Sequence, residues 1–482
     1  MKRTSGVLMH ISSLWGDYSI GSFGKEAKEF AKFLKDAGFS YWQVLPFCMT
    51  DESNSPYKSY SAFGANPLFI DLPTLKAKGF ITPMELDAAK QRTPYLCEFE
   101  RLKEERLPLL RLAAKRAEGK LSGAVSEFLK EYPALSEAAE FMALKSANGG
   151  APWYEFTVTR PDPEELFFWQ FVQYEFFTQW QEVKAYANSL GIKIIGDIPI
   201  YVAHDSADVY NNPDEFFLDG DGMPSSVAGV PPDYFSEEGQ LWGNPLYNWR
   251  RMKESCFGWW QRRMEYMLTL FDGVRIDHFR GLEAYFSIPR GAKSAKAGKW
   301  VKGPGRRFID MLKRVAKDKL IIAEDLGDIT PAVEALRKYS GFPGMRVLQF
   351  AFLGDEKSPH IPHNYEKNSV AYTGTHDNNT LLGYVWEAAP ESRKRMLDYC
   401  NCAEGEDWSS CCGKIIKTVL SSHADIAIFP IQDILVYGAD TRMNTPGTAT
   451  DNWQYRILES QLSEVPVAKF KYLNSLYGRC DN

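Results

Sequence analysis

The sequence has no apolar run near the ~20 residues that span a bilayer, no Gly-rich phosphate loop, and no internal repeat or low-complexity tract. It also lacks a large excess of charge of one sign, the formal net charge being −6. These absences argue against a membrane protein, a phosphate-cradling nucleotide enzyme and an interaction scaffold. Nothing in the charge balance suggests a surface for nucleic acid or anionic lipid. The eight cysteines are scattered, and no CxxC pair with zinc spacing occurs. Cys400, Cys402, Cys411 and Cys412 cluster, but adjacent and i+2 spacings do not suit zinc. Reduced thiols in a cytoplasmic protein are expected. An apolar run at 6–11 follows the first residues almost directly, so the sequence predicts no targeting segment.

Aromatic residues, by contrast, are abundant: 13 Trp, 24 Tyr and 30 Phe. Most belong in a core, but aromatic faces also stack on sugar rings, and the loop at 51–73 carries Tyr57, Tyr60 and Phe63 among Ser, Pro, Asn and Gly. A Lys/Arg/Glu/Ala/Leu-rich stretch at 83–153 has helical periodicity and reads as an inserted helical subdomain. A long aromatic-rich helix is predicted at 163–190. A second insertion, at 201–252, is rich in Asp, Asn, Pro and Gly and reads as irregular. Its Asp219-Gly-Asp-Gly suggests a calcium loop, but Met223 stands at the fifth position and no bidentate Glu follows, so a plain turn is expected and no metal.

Short strand-like runs at 6–11, 41–46, 192–200, 271–281, 320–325, 345–352, 370–375 and 425–430 alternate with helical segments. Eight such runs predict an α/β fold, a (β/α)8 TIM barrel with inserted, mostly helical and irregular subdomains, where sites lie at the carboxyl ends of the strands. Four runs end in acids: Asp197, Asp277, Glu324 (followed by Asp325) and Asp377. Arg275 lies two residues before Asp277 and so on the same strand face, where a guanidinium keeps a carboxylate ionised. A structural ion pair closing a strand would look the same in isolation. Strand-end acids in the order Asp, Glu, Asp, with His376 beside the last, are more specific. Breaking a glycosidic bond needs one carboxyl group to protonate the leaving oxygen and another to attack carbon or activate water. Magnesium-dependent phosphoryl chemistry is the competing use of such acids, and the missing phosphate loop speaks against it.

At these residues the chain resembles the amylomaltase (4-α-glucanotransferase) family of the α-amylase clan. The motifs are Ser55-Pro-Tyr, Ser61-Ala-Phe-Gly-Ala-Asn-Pro, Gly196-Asp-Ile-Pro-Ile-Tyr-Val, Gly229-Val-Pro-Pro-Asp-Tyr-Phe, Gly239-Gln-Leu-Trp-Gly-Asn-Pro, Arg275-Ile-Asp-His-Phe-Arg-Gly, Ala323-Glu-Asp-Leu-Gly and Gly374-Thr-His-Asp-Asn. The resemblance implies Asp277 as nucleophile, Glu324 as acid/base and Asp377 as stabiliser of the transition state. It implies that Arg275 and His376 support the first subsite. Tyr57, Trp242 and Asn244 would line a groove for maltooligosaccharides and α-1,4-glucans, with Asp197 close by and no cofactor. A retaining mechanism requires the Asp277 and Glu324 carboxyls about 5–5.5 Å apart. A hydrolase on the same barrel and a non-catalytic glucan binder are the alternatives.

Overall fold

The computed structural model describes residues 2–232 and 237–480, and eight parallel strands in it close into a barrel. They are Thr4–Leu8, Tyr41–Gln43, Lys193–Ile198, Gly273–Ile276, Leu320–Ala323, Gly344–Val347, Ser369–Tyr372 and Ile426–Pro430. Each pairs with its neighbour in sequence, and the first pairs with the eighth, so no edge remains. The first strand is Thr4–Leu8 rather than 6–11. Thr4 N–H already bonds the Asp425 carbonyl, and a 3-10 turn occupies Ile11–Ser13.

The period of two along each strand decides what faces the barrel axis. Leu8, Ile195, Ile322, Met345, Val347, Val370, Tyr372, Ile426 and Ile428 fill the interior. Their neighbours Val7, Ile194, Ile198, Val274, Ile276, Ile321, Ala371 and Ala427 join the larger core under the surrounding helices. On that outer face Gly196 makes room for the ring of Phe271, which an added Cβ would meet at 2.2 Å.

The helices follow from their patterns. Lys25–Asp36 buries Ala27, Phe30, Ala31, Phe33 and Leu34 and leaves its lysines outside. Pro163–Ser189 starts where the Asp162 side chain accepts from the Glu164 and Glu165 N–H groups, with Pro163 at the first helical position. Phe168, Trp169, Phe171, Phe176 and Trp180 of that helix are buried, so its aromatics are core rather than ligand contacts. Within 83–153 the main helices are Leu107–Glu131 and Pro133–Ala147, both packed on Pro163–Ser189.

A second sheet is absent from the sequence reading. Four antiparallel strands lie in the order Gln240–Pro245, Ser226–Val230, Ala284–Pro289, Lys299–Lys302. Two come from the stretch expected to be irregular, and two from the segment after the fourth barrel strand. The central pairing joins residues some sixty positions apart (Gly229 with Phe286), and the strands of the two outer pairs are not linked by a two-residue turn, so no tight-hairpin signal marks the sheet. Asp233, Tyr234 and Phe235 of the Gly229-Val-Pro-Pro-Asp-Tyr-Phe motif lie outside the described residues.

Asp219 closes a turn by accepting from the Asp221 and Met223 N–H groups and pairs with Arg290. Among the described residues no group of three or more His, Cys, Asp or Glu side chains is arranged to hold a metal ion, and none of the eight cysteines is in a disulfide. Among them, too, no helix is long and apolar enough to cross a membrane.

Candidate active site

The barrel ladder runs one residue past the fourth and fifth strands. Asp277 N–H donates to the Ile198 carbonyl (3.0 Å), and Glu324 N–H to the Ile276 carbonyl (3.1 Å). This fixes both acids at the carboxyl rim. Parity then selects the side chains that meet there. Asp197 follows Ile195, Arg275 and Asp277 alternate with outward Val274 and Ile276, and Glu324 follows Ile322. Asp325, one residue on, takes the outward parity. It pairs with Arg337 and Arg346 and accepts from Met345 N–H, a structural knot at the back of the barrel wall.

Arg275 is the hub. It is 4 % exposed. One terminal nitrogen donates to both Asp197 oxygens at 2.8 Å, and the other donates to Asp277 Oδ1 at 2.8 Å. The Tyr57 hydroxyl donates to Asp197 Oδ2 (2.7 Å), and its ring stacks on His376, with centroids 5.0 Å apart at 14°. His376 Nε2 lies 3.3 Å from Asp377 Oδ2. Seven of the nine residues singled out in the sequence thus form one cluster: Tyr57, Asp197, Arg275, Asp277, Glu324, His376 and Asp377.

The cluster's partners set its proton. Asp197 and Asp277 share the guanidinium, and Asp377 has His376. Among the described residues Glu324 accepts only from backbone, at His278 N–H (2.7 Å) and Leu326 N–H (3.1 Å). Burial first, and then the Asp277 charge, push its pKa up to about 8. At neutral pH Glu324 is therefore a protonated acid beside Asp277. Burial also raises Asp197, against the pull of Arg275. Around Asp377 the loss of water favours the neutral form, but His376, Asn444 and Arg275 outweigh it and hold the carboxyl down at about 2.

His278 turns the chain directly after Asp277. It is left-handed (φ 51°, ψ 49°), a conformation that costs a non-glycine residue about 1 kcal/mol, and the turn aims its N–H at Glu324. Trp242, on the small sheet, meets the His278 ring edge-on at 4.9 Å and so approaches the cluster through that histidine. The Asn244 amide donates to the Val202 carbonyl (2.8 Å) and serves the loop.

Four cluster residues escape the sequence reading as site residues. Asn444 Nδ2 donates to Asp377 Oδ1 (2.6 Å), and Arg442 donates to the Asp377 carbonyl (2.6 Å). Trp453 packs against both Tyr57 and His376. His10 is buried and held neutral, its pKa lowered to about 3 by burial and by His376, with Nδ1 accepting from Leu45 N–H. Asn444 stands in an Asn-Thr-Pro-Gly-Thr loop, where only its place after the eighth strand signals a role.

Comparison with known proteins agrees with this geometry. A family model described as 4-alpha-glucanotransferase matches residues 9–461. The 4-alpha-glucanotransferase of a Synechocystis strain is 44 % identical over 501 residues, covering 99 % of this chain and 98 % of the relative. That of Thermus thermophilus is 42 % identical over 490 residues, covering 96 % of each. The solved structure of amylomaltase from Streptococcus agalactiae in complex with acarbose superposes with a TM-score of 0.95 at 38 % identity, covering 100 % of both chains. Likeness of sequence and of fold, along nearly the full length, leads to one assignment: the chain belongs to the 4-alpha-glucanotransferase family.

Proposed function

We propose that this enzyme moves a segment of an α-1,4-glucan onto the 4-hydroxyl of glucose or of another glucan, with retention at the anomeric carbon. Asp277 is the nucleophile, Glu324 the acid and then base, and Asp377 the stabiliser of the transition state. One observation carries the reading. Two neighbouring carboxyl groups have opposite settings, one bonded to a guanidinium, the other bonded to backbone N–H groups with its pKa pushed up to about 8.

In the first step Glu324 gives its proton to the glycosidic oxygen as Asp277 attacks the anomeric carbon. The released glucan leaves, and a glycosyl ester on Asp277 remains. Forming that ester removes the Asp277 charge, which is part of what raises Glu324. Glu324 then ionises more readily and takes the proton of the incoming 4-hydroxyl, and the acceptor's oxygen displaces Asp277. Asp377, its two oxygens already met by His376 and Asn444, keeps further lone pairs for ring hydroxyls as positive charge develops. Tyr57 and Arg275 hold Asp197 and Asp277 in place throughout. The Trp242 and Asn244 segment and the 51–73 loop form the walls of the glucan groove, which keep water from the ester so that transfer outruns hydrolysis. The acarbose bound to the Streptococcus relative supports a maltooligosaccharide substrate. Eight cysteines, none of them in a disulfide among the described residues, fit a reducing, cytoplasmic setting.

Incubation with maltotriose tests the reading. Glucose plus longer maltodextrins at nearly constant reducing-end content is the expected result. A steady rise in reducing ends would make the enzyme a hydrolase instead.

A further inference from the structure

The loop after the eighth barrel strand carries no acid toward the site, yet it touches Asp377 twice. Asn444 Nδ2 donates to Asp377 Oδ1 at 2.6 Å, and Arg442 donates from one terminal nitrogen to the Asp377 carbonyl at 2.6 Å. Arg442 Nε also donates to the Asn444 carbonyl at 2.7 Å, so one guanidinium ties the two loops together. The far end of the segment returns as Trp453, whose N–H bonds the Met443 carbonyl and whose ring meets Tyr57 and His376. Thr445 N–H donates to Asn452 Oδ1 and closes the same loop on itself. A segment anchored at both ends and clamped across its neck presents its amide in a fixed place.

We propose that Asn444 is a positioning residue for Asp377, fixing the carboxylate's rotation and keeping it ionised, with Arg442 as the clamp that holds Asn444 there. The inference rests on the reading of Asp377 given above. The charged and titratable groups facing Asp377 are His376 on its own loop, Arg275 from the fourth strand, Tyr57 from the 51–73 loop and Arg442. Asn444 is the neutral donor among them. Without it, Oδ1 loses its fixed partner, and rotation of the carboxylate also disturbs the contact of Oδ2 with His376.

Asn444→Asp tests this, because it replaces the donor by a second carboxylate at hydrogen-bond distance. Two carboxyls so close share a proton, so the acid limb of kcat/KM for maltotriose disproportionation should rise by about one pH unit or more. At pH 7, kcat should fall about ten- to a hundredfold, the worth of one hydrogen bond to a charged group, with KM changing much less. Asn444→Ala removes the donor without adding charge. It should lower kcat in the same sense, which keeps the test open should Asn444→Asp melt early. A wild-type kcat in Asn444→Ala, or an unmoved acid limb in a folded Asn444→Asp, overturns the proposal. Asp377→Asn separates the two levels: wild-type activity there overturns the role of Asp377 itself. An inactive Asp377→Asn beside an unaffected Asn444→Asp overturns only the positioning.

Discussion

Glu324→Gln is the substitution whose outcome follows most directly from the site's electrostatics. Glu324 has an ordinary pKa of 4.5 and is raised to about 8 in the fold. A carboxyl raised in this way favours the folded state when protonated. Its contribution is fully present below pH 4.5 and is lost as the pH rises through about 8, because the unfolded chain releases the proton first. Between pH 4.5 and pH 7 the loss is about 3 kcal/mol, nearly the full slope of 1.4 kcal/mol per unit. Glutamine does not titrate, so the variant should escape that loss. It carries its own penalty, since two backbone N–H groups, from His278 and Leu326, face the side chain and only one can be met by the amide oxygen. That penalty is about 1–3 kcal/mol and does not depend on pH. The decisive quantity is therefore a trend. Urea denaturation at a series of pH values should show the variant gaining about 3 kcal/mol on the wild type between pH 4.5 and pH 7. Other titrating groups, Asp433 and Asp208 among them, cancel in that comparison. Activity should fall about 10²–10⁴-fold through loss of the acid and base. A stability difference that stays constant across this range would mean that Glu324 titrates as an ordinary surface carboxyl, and the assignment of the acid would fail with it.

The same proton predicts an alkaline limb near pH 8 in kcat/KM, activity declining as Glu324 ionises; full activity well above pH 9 would contradict it. Arg275→Met leaves Asp197 and Asp277 without their cation, and should lower stability by about 3–5 kcal/mol as well as abolish transfer. A folded, active Arg275→Met would remove Arg275 from its place as hub. A crystal structure should place the Asp277 and Glu324 carboxyls about 5–5.5 Å apart, the separation of a retaining pair. About 9 Å would require inversion and a water between them.

What could be read from the sequence, and what could not, divides along a physical line. Strand parity is local. Arg275 and Asp277 had to share a face, and a run ending Ile-Ile-Ala-Glu-Asp had to send its last two residues opposite ways. Sequence showed both acids; closure of the barrel made Ile322, and so Glu324, the inward member and left Asp325 to Arg337 and Arg346. Contacts made across the top of the barrel have no such period. Asn444 and Arg442 lie more than sixty residues from Asp377, in a loop whose composition signals only a turn, and the central pairing of the small sheet joins strands that are not consecutive in the chain. The assignment of the proton combines the two kinds of information. The barrel brings four carboxyls to one mouth, and among the described residues three of them are met by polar or charged side chains. Asp197 and Asp277 take Arg275, Asp377 takes His376, and the acid left with backbone amides alone is the one that stays protonated. Which carboxyl serves as the acid is thus decided less by the residue that carries it than by which one the other three leave with backbone amides for partners.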